Sequence, residues 1–445
     1  MSADSLTLLN DLIAAARRAG ADAADAVLIG GTALSLAQRL GEPERLERAE
    51  NTDIGLRVLI GRRQAIVSSS DTRRAALDEL VERAVAMAEN VPEDPYCGLA
   101  DPDQIATSVP DLDICDSHDI TAETLKDWSL RTEDAARAVP GVTNSEGAEA
   151  SWSRTRIALA ASNGFAQAYA RSSVSFGVSV LAGTGTAMER DYDFTSAVYA
   201  EDLLSPEAVG RAAGEKAVKR LNPRKMPTVQ VPVVYDPRAG RSLIGHLAGA
   251  ISGGAVARGT TFLRKSLNTP LFAETIRVID DPRRTRGLGS RPFDGEGLPA
   301  EPLDIVERGV LKTWLLDLRS ARQLGLASNG RAARGVSSPP GPSTTNLYLD
   351  AGTPTPGELY ADVKSGFYVT ELIGMGVNTV TGDYSRGASG FWIENGALAF
   401  PVSEVTIAGN LKDMFATLSA ANDLEFRYAT NTPTVRIEGM TVAGQ

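Results

Sequence analysis

The stretch from Arg238 to Phe262 constrains the fold most strongly, because it is too rich in glycine to be stable as an isolated helix. An apolar strand over Val229–Tyr235 precedes it. The Asp236-Pro237 pair predicts where the helix starts, since Asp caps free N–H groups and Pro suits the first turn. Each glycine costs a helix about 1 kcal/mol relative to alanine. We therefore expect another backbone to approach these glycines closely, Gly249 among them.

Two interpretations of this helix remain open: a buried packing element, or an element that lines a functional site. Histidine content limits the second, because the chain has only two histidines, His118 and His246. Zinc sites in peptidases usually take two or three histidines and a carboxylate. The sequence therefore predicts no metal ligands and no catalytic residues in this chain. For each histidine, a surface or hydrogen-bonded structural role is the more common alternative to a functional one.

Length and composition indicate a globular protein of two domains, since 445 residues exceed one ordinary core. The net charge of −11 argues against direct nucleic-acid binding, which requires a basic face. The N-terminus lacks the pattern of a secretory signal, and no apolar run is long enough to span a membrane. Cys97 and Cys115 do not form a disulfide framework. These features predict a cytoplasmic protein without a membrane segment.

The predicted fold class is α+β in two domains. Residues 1–222 are expected to combine helices with a curved antiparallel sheet, and residues 228–445 to form a β-rich domain around the Gly/Ala-rich helix. A Pro-containing linker over 222–227 separates them. Within the second domain, the acidic segment Asp294-Gly295-Glu296 lacks the ligand spacing of a calcium loop and is predicted to be a solvated turn.

The N-terminal region has a possible internal duplication. Its pattern of a helix, several strands and a second helix occurs twice, and the segments 54–65 and 176–187 share Gly, Val, Leu, Gly and Ala at matching positions. In the first unit we expect separate strands over 26–29 and 33–39.

The glycine-rich segment Gly382–Gly390 contains polar residues that packing alone does not require. Asp383 and Arg386 are predicted to form a structural pair in a turn between two strands. In the alternative interpretation, Tyr384 and Arg386 offer an aromatic face and a cation to an extended peptide, held by strand addition at a sheet edge.

Several long segments together resemble one family. They are the Gly/Ala-rich helix, Trp314–Leu316, Thr381–Trp392 and Val402–Leu411. On these segments the chain is identified as a member of the TldD/PmbA family and resembles its PmbA (TldE) branch over essentially its whole length.

The resemblance implies a family of zinc peptidases in which the TldD branch carries His-Glu-x-x-x-His on the equivalent helix. In this chain those positions hold Ile244, Gly245 and Gly249, and no cysteine follows Cys115. The resemblance thus implies a metal-free subunit without a cofactor of its own. Its partner would be a TldD-type zinc-bearing chain, and the heterodimer would act on extended peptides in the cytoplasm.

Candidate peptide-binding residues are Tyr384, Arg386 and His246, the last lying beside the motif positions. An alternative function from another class is a non-enzymatic protein-binding regulator of the gyrase-modulator type, acting as a homodimer.

Overall fold

The computed structural model describes residues 2–444, and the first part of the chain builds one six-stranded sheet in the order β3-β2-β1-β4-β5-β6. Its elements are α1 (Ser2–Arg18), β1 (Ala23–Arg39), β2 (Glu42–Ile60), β3 (Arg63–Ser69), α2 (Arg74–Asn90), α3 (Ala122–Arg137), β4 (Val142–Ala161), β5 (Ala166–Ala182), β6 (Glu189–Ala197) and α4 (Pro206–Lys219), with short 3-10 helices at Gly185–Ala187 and Ala200–Asp202. The unit of helix, three strands and helix therefore occurs twice.

The two units join where β1 pairs with β4 in antiparallel register from Asp25 to Gln38. The predicted sequence match between 54–65 and 176–187 falls on equivalent places, the turn after β2 and the turn after β5. The helices cover one face of the sheet: α1 and α2 pack on the first unit, and α3 and α4 on the second.

The expected break in β1 is wrong, because one strand runs from Ala23 to Arg39 through Gly30 and Gly31. At Gly31 a Cβ atom would collide with the backbone of β4, where the Cα of Thr155 lies at 3.1 Å. The glycine pair thus permits close strand pairing rather than ending a strand.

The second part of the chain contains two further sheets. Its elements are β7 (Val229–Tyr235), α5 (Pro237–Ala250), α6 (Gly253–Arg258), β8 (Val278–Asp280), β9 (Leu303–Glu307), β10 (Val310–Leu311), α7 (Leu318–Leu324), β11 (Ala332–Ala333), β12 (Gly341–Pro342), β13 (Leu347–Leu349), α8 (Pro356–Leu359), β14 (Ser365–Ile373), β15 (Asp383–Glu394), β16 (Ala397–Asn410), α9 (Leu411–Ala416), β17 (Ser419–Ala420), β18 (Thr430–Asn431) and β19 (Val435–Ala443). The larger sheet has the order β16-β15-β14-β7-β19-β17, and β16 also pairs with β19, so the sheet curls back on itself. The α+β fold and the β-rich second part agree with the sequence prediction.

The division into domains at residues 222–228 stays a prediction. It falls between α4 and β7, yet the two parts share buried ion pairs. Asp25 of β1 binds Arg57 of β2, and its other oxygen accepts from Arg334 at 2.6 Å, with all three side chains almost fully buried. The two parts are therefore held together by more than a linker.

Between residues 2 and 444, no helix combines the length and the apolar character that crossing a membrane would require.

Candidate functional site

The predicted Gly/Ala-rich helix is in fact two helices, α5 and α6, and the start of α5 is fixed by its sequence. β7 lies inside the larger sheet and leads directly into Asp236, whose side chain accepts a hydrogen bond from the backbone N–H of Arg238 at 2.9 Å. Pro237 occupies the first turn, where its missing N–H costs nothing. The predicted helix start is confirmed, and α5 is thereby set in a fixed position against the sheet.

The inward side of α5 packs tightly. Leu243, Ile244 and Leu247 are fully buried and join the same core as residues of β7 and β14. Two glycines also face close neighbours: a Cβ at Gly240 would lie 2.9 Å from Thr432 Oγ1, and a Cβ at Gly253, the first residue of α6, would lie 2.9 Å from the Leu315 carbonyl. The expected close approach of another backbone is therefore confirmed at Gly253, whereas side chains approach Gly240.

The outward side of α5 differs. Gly245 and Gly249 are exposed, and apart from the adjoining residues and the backbone of α5 itself, no atom of residues 2–444 lies within 4 Å of where their Cβ atoms would be. The expected close approach at Gly249 is therefore wrong within this chain. One turn apart, the two glycines leave a strip of bare helix backbone open to whatever lies outside.

The donor set on α5 does not fit a zinc ion. Ile244 is fully buried, and glycines have no side chain to bind a metal. His246 is the one imidazole nearby, and the neighbouring Arg386 cation disfavours a second positive charge. Over the described part of the chain, no three His, Cys, Asp or Glu side chains gather in a way that could hold a metal.

The three candidate peptide-binding residues lie close together, His246 on α5 itself and Tyr384 and Arg386 on β15. The rings of His246 and Tyr384 meet edge to face with centroids 6.0 Å apart. Burial, and then the charge of Arg386, hold the pKa of His246 below its usual value. Tyr384 is 1% exposed, and burial raises its pKa to about 12. The expected exposed aromatic face at Tyr384 is therefore wrong, because the ring belongs to the core.

Peptide binding by these three residues stays a prediction. Arg386 is 9% exposed, so it too lies below the surface. Among the described residues, the buried His246 Nε2 has no hydrogen-bond partner, whereas the Tyr384 hydroxyl interacts with that of Tyr235. Unsatisfied buried polar atoms are uncommon and mark this layer as polar and incompletely paired.

The segment Gly382–Gly390 is mostly strand β15 rather than a turn. Asp383 does not pair with Arg386; its carboxylate accepts from the Thr381 hydroxyl at 2.6 Å and from Asn410 Nδ2 at 3.1 Å. The structural role of Asp383 holds, but its partners differ from those expected.

The sequence analysis missed one important group, Asp191 of β6, which ties the start of α5 to the first sheet. Its carboxylate accepts from Arg238 at 2.6 Å and from Arg220 at 3.4 Å. Burial alone would raise the pKa of Asp191, but the hydrogen bond and charge of Arg238 bring it below the usual value. The signal available was a polar residue at a buried alternate position of a strand.

Arg220 extends this network into the second part of the chain. It binds Glu371 of β14 at 2.5 Å and the hydroxyl of Ser389 of β15 at 2.9 Å. Two cavities of about 270 and 470 Å³ flank the start of α5 and share Lys216, Asp236, Arg238 and Tyr368 as lining residues. The region beside α5 is thus polar, with charges of both signs.

Comparison with known proteins covers nearly the whole chain. Residues 228–444 match the sequence model of the PmbA/TldA metallopeptidase C-terminal domain, residues 115–221 match the central domain and residues 24–88 match domain 1. The chain is 36% identical to Metalloprotease PmbA of Escherichia coli O157:H7 over 95% of this chain and 93% of that protein. It is 37% identical to a Metalloprotease PmbA homolog of Haemophilus influenzae, over 96% and 94% of the two chains.

Two solved structures are similar throughout. A putative modulator of DNA gyrase from Bacteroides thetaiotaomicron superposes with a TM-score of 0.91 and 25% identity, covering 99% of this chain and 98% of that one. TldE from Thermococcus kodakarensis has a TM-score of 0.88 and 19% identity, covering 98% and 100%.

Proposed function

The chain belongs to the PmbA/TldD metallopeptidase family, and from that membership we propose that it is the metal-free subunit of a cytoplasmic peptidase. A zinc-bearing TldD-type chain would supply the chemistry, and extended peptides would be the substrates. The observation that carries this proposal is the outward side of α5. The family resemblance places Gly245 and Gly249 at motif positions of the zinc-binding branch, and these two residues present bare backbone instead of ligands.

The open side of α5 suits contact with another chain. Two glycines lower the stability of a helix by about 1 kcal/mol each, and nothing in the described residues packs on Gly245 and Gly249 to offset that cost. A partner backbone or an extended peptide could approach this strip more closely than any side chain would allow. Tyr384 and Arg386 of β15, which lie beside His246 of α5, would hold the helix in place.

A single substitution can distinguish contact with another chain from a purely structural role of the open side of α5. Gly249→Leu should leave the isolated chain as stable as before or more stable, because leucine favours helix by about 0.8 kcal/mol over glycine and open space surrounds the position. The same substitution should abolish assembly with the zinc-bearing chain, or peptide cleavage by the pair. Thermal unfolding, sedimentation and a peptide-cleavage assay measure the three properties.

Gly357→Leu is the matched control, since Gly357 is also an exposed helical glycine with open space around it. Unchanged assembly and cleavage in Gly249→Leu would contradict the role of the open side. Separately, metal analysis that found one tightly bound zinc in the purified chain, together with peptide cleavage by that chain alone, would contradict the metal-free proposal.

A further inference from the structure

The start of α5 lies beside a cleft between the two parts of the chain. One cavity, of about 270 Å³, has walls mainly from β6 and α4 on one side and from α5, β14 and residues 423–434 on the other. A second cavity, of about 470 Å³, shares lining residues with it and extends along β14, β15 and β16. Small-molecule sites occur preferentially where two packed bodies of a protein meet. The cleft therefore has the position and the size of such a site.

The cations that line the smaller cavity already have partners. Lys216 and Arg427 both bind Asp193, at 3.2 and 2.9 Å. Arg238 binds Asp191 at 2.6 Å. Among the described residues, this cavity thus contains no lysine or arginine that lacks a carboxylate partner.

Three carboxylates of the same cavity have no such partner. Within residues 2–444, no lysine or arginine forms an ion pair with Asp236, Asp423 or Glu425. The Tyr368 hydroxyl donates to Asp236 at 3.3 Å. Asp423 accepts from the N–H and the hydroxyl of Thr434, at 2.8 and 2.7 Å. These neutral donors orient two of the carboxylates and leave their negative charges in place, so the cavity favours a cation.

A buried hydroxyl in the same wall is also unpaired. Thr432 is 2% exposed and lines the smaller cavity, and its Oγ1 has no hydrogen-bond partner among the described residues. Unpaired polar atoms at this depth are uncommon. An ammonium group has three N–H donors and no acceptor, so it suits a hydroxyl oxygen together with carboxylates. Over the described chain, no three His, Cys, Asp or Glu side chains are placed to hold a metal ion, which favours an organic cation.

The larger cavity adds an apolar wall. Phe391, Leu398 and Phe400 line it. Lys219 lines it too and forms no ion pair within residues 2–444, so it is available to the carboxylate of a ligand that has one. We propose that the cleft binds a primary ammonium group attached to an apolar side chain. A free apolar amino acid and the amino end of a short peptide share this chemistry.

This inference goes beyond the proposed function and does not rest on it. Gly245, the nearer of the two outward glycines, follows Asp236 by nine residues, which is roughly 13 Å along a helix. The cleft and the open side of α5 are therefore separate places on the chain. The purified full-length chain can be tested without a zinc-bearing partner.

The test is isothermal titration calorimetry with four probes: L-leucine, L-leucinamide, leucyl-leucinamide and N-acetyl-L-leucinamide. We expect binding of probes that have a free amino group and no binding of the acetylated one. Tighter binding of L-leucine than of the two amides would identify a free amino acid, and tighter binding of leucyl-leucinamide would identify the amino end of a peptide. An absence of binding by all four probes would overturn the proposal, as would equal binding of L-leucinamide and its acetylated form.

Two variants test the residues. Thr432→Val should weaken binding of the preferred probe by roughly tenfold. It should leave the thermal midpoint unchanged or higher, because the hydroxyl that it removes has no partner in the chain. Glu425→Gln, at an exposed side chain, should weaken binding several-fold without affecting folding. Glu47→Gln is the matched control, since Glu47 is an exposed carboxylate of β2, and this variant should bind as the native chain does.

Native affinity in both Thr432→Val and Glu425→Gln would overturn the proposal. Equal weakening in Glu47→Gln would overturn it too, because the effect would then be one of general charge. A lower thermal midpoint in Thr432→Val would show that its hydroxyl is paired within the chain, and the argument from that residue would fail.

Discussion

Glycine occurs on both sides of α5, with opposite surroundings. Gly240 and the nearby Gly253 of α6 touch the rest of the chain so closely that a methyl group would collide with it. Gly245 and Gly249 have open space at the same place. Small residues in a helix therefore indicate that a neighbour packs closely against the helix. They do not show whether that neighbour belongs to the same chain or to another one.

The inward side of α5 is also anchored at its start by Asp191. Asp191→Ala should lower the free energy of unfolding by about 3–5 kcal/mol, because it leaves the largely buried Arg238 cation without its carboxylate. Chemical denaturation measures the loss. Asp127→Ala is the control, since Asp127 forms an exposed ion pair with Arg131 that should contribute about 1 kcal/mol or less. Equal effects of the two substitutions would show that α5 is not anchored in this way.

A bulky side chain tests the packed glycines directly. Gly253→Leu should destabilise the chain by roughly 1–3 kcal/mol, since the new side chain would meet Leu316 and the Leu315 carbonyl. Gly249→Leu, in contrast, should not destabilise the isolated chain, so the two variants test the packed side and the open side against each other. If both substitutions had the same effect on the unfolding midpoint, the distinction between the two sides would fail.

The smallest expected effect concerns pH. The pKa of His246 is lowered by burial and by Arg386, so the unfolded chain takes up a proton more readily than the folded one. Stability should therefore fall as pH drops below the usual histidine pKa of about 6.5. His246→Phe should remove part of that decline, because it removes the buried imidazole. Unfolding midpoints between about pH 5 and 8 provide the measurement.

Local features of the fold could be predicted, because they depend on neighbouring residues. The Asp236-Pro237 start of α5 is one example. Gly30 and Gly31 show the limit: glycine pairs commonly mark turns, and only the approach of β4, more than a hundred residues later, makes them part of a strand. Tyr384 was placed on a surface for the same reason, since its position under α5 depends on how β15 packs.

The burial of charged side chains could not be predicted from the sequence either. Asp294-Gly295-Glu296 was predicted to be a solvated turn, yet Asp294 is 1% exposed. Its carboxylate accepts from the backbone N–H groups of Glu296, Leu298 and Ala332 at 2.9–3.0 Å. Such partners come from several segments, and the Asp191–Arg238 pair joins strand β6 of the first sheet to helix α5 in the second part of the chain.

The strand order of the larger sheet has a consequence for how the protein is made. β7, which carries α5, lies between β14 and β19, and β19 is the last strand of the chain. Val435 of β19 pairs with Tyr235, so the sheet under α5 cannot close until a segment two hundred residues later in the sequence has left the ribosome. Pairings between such distant segments form slowly. The larger sheet therefore cannot be completed before β19 is synthesised, and a chain that stops before residue 435 lacks a finished support for the helix.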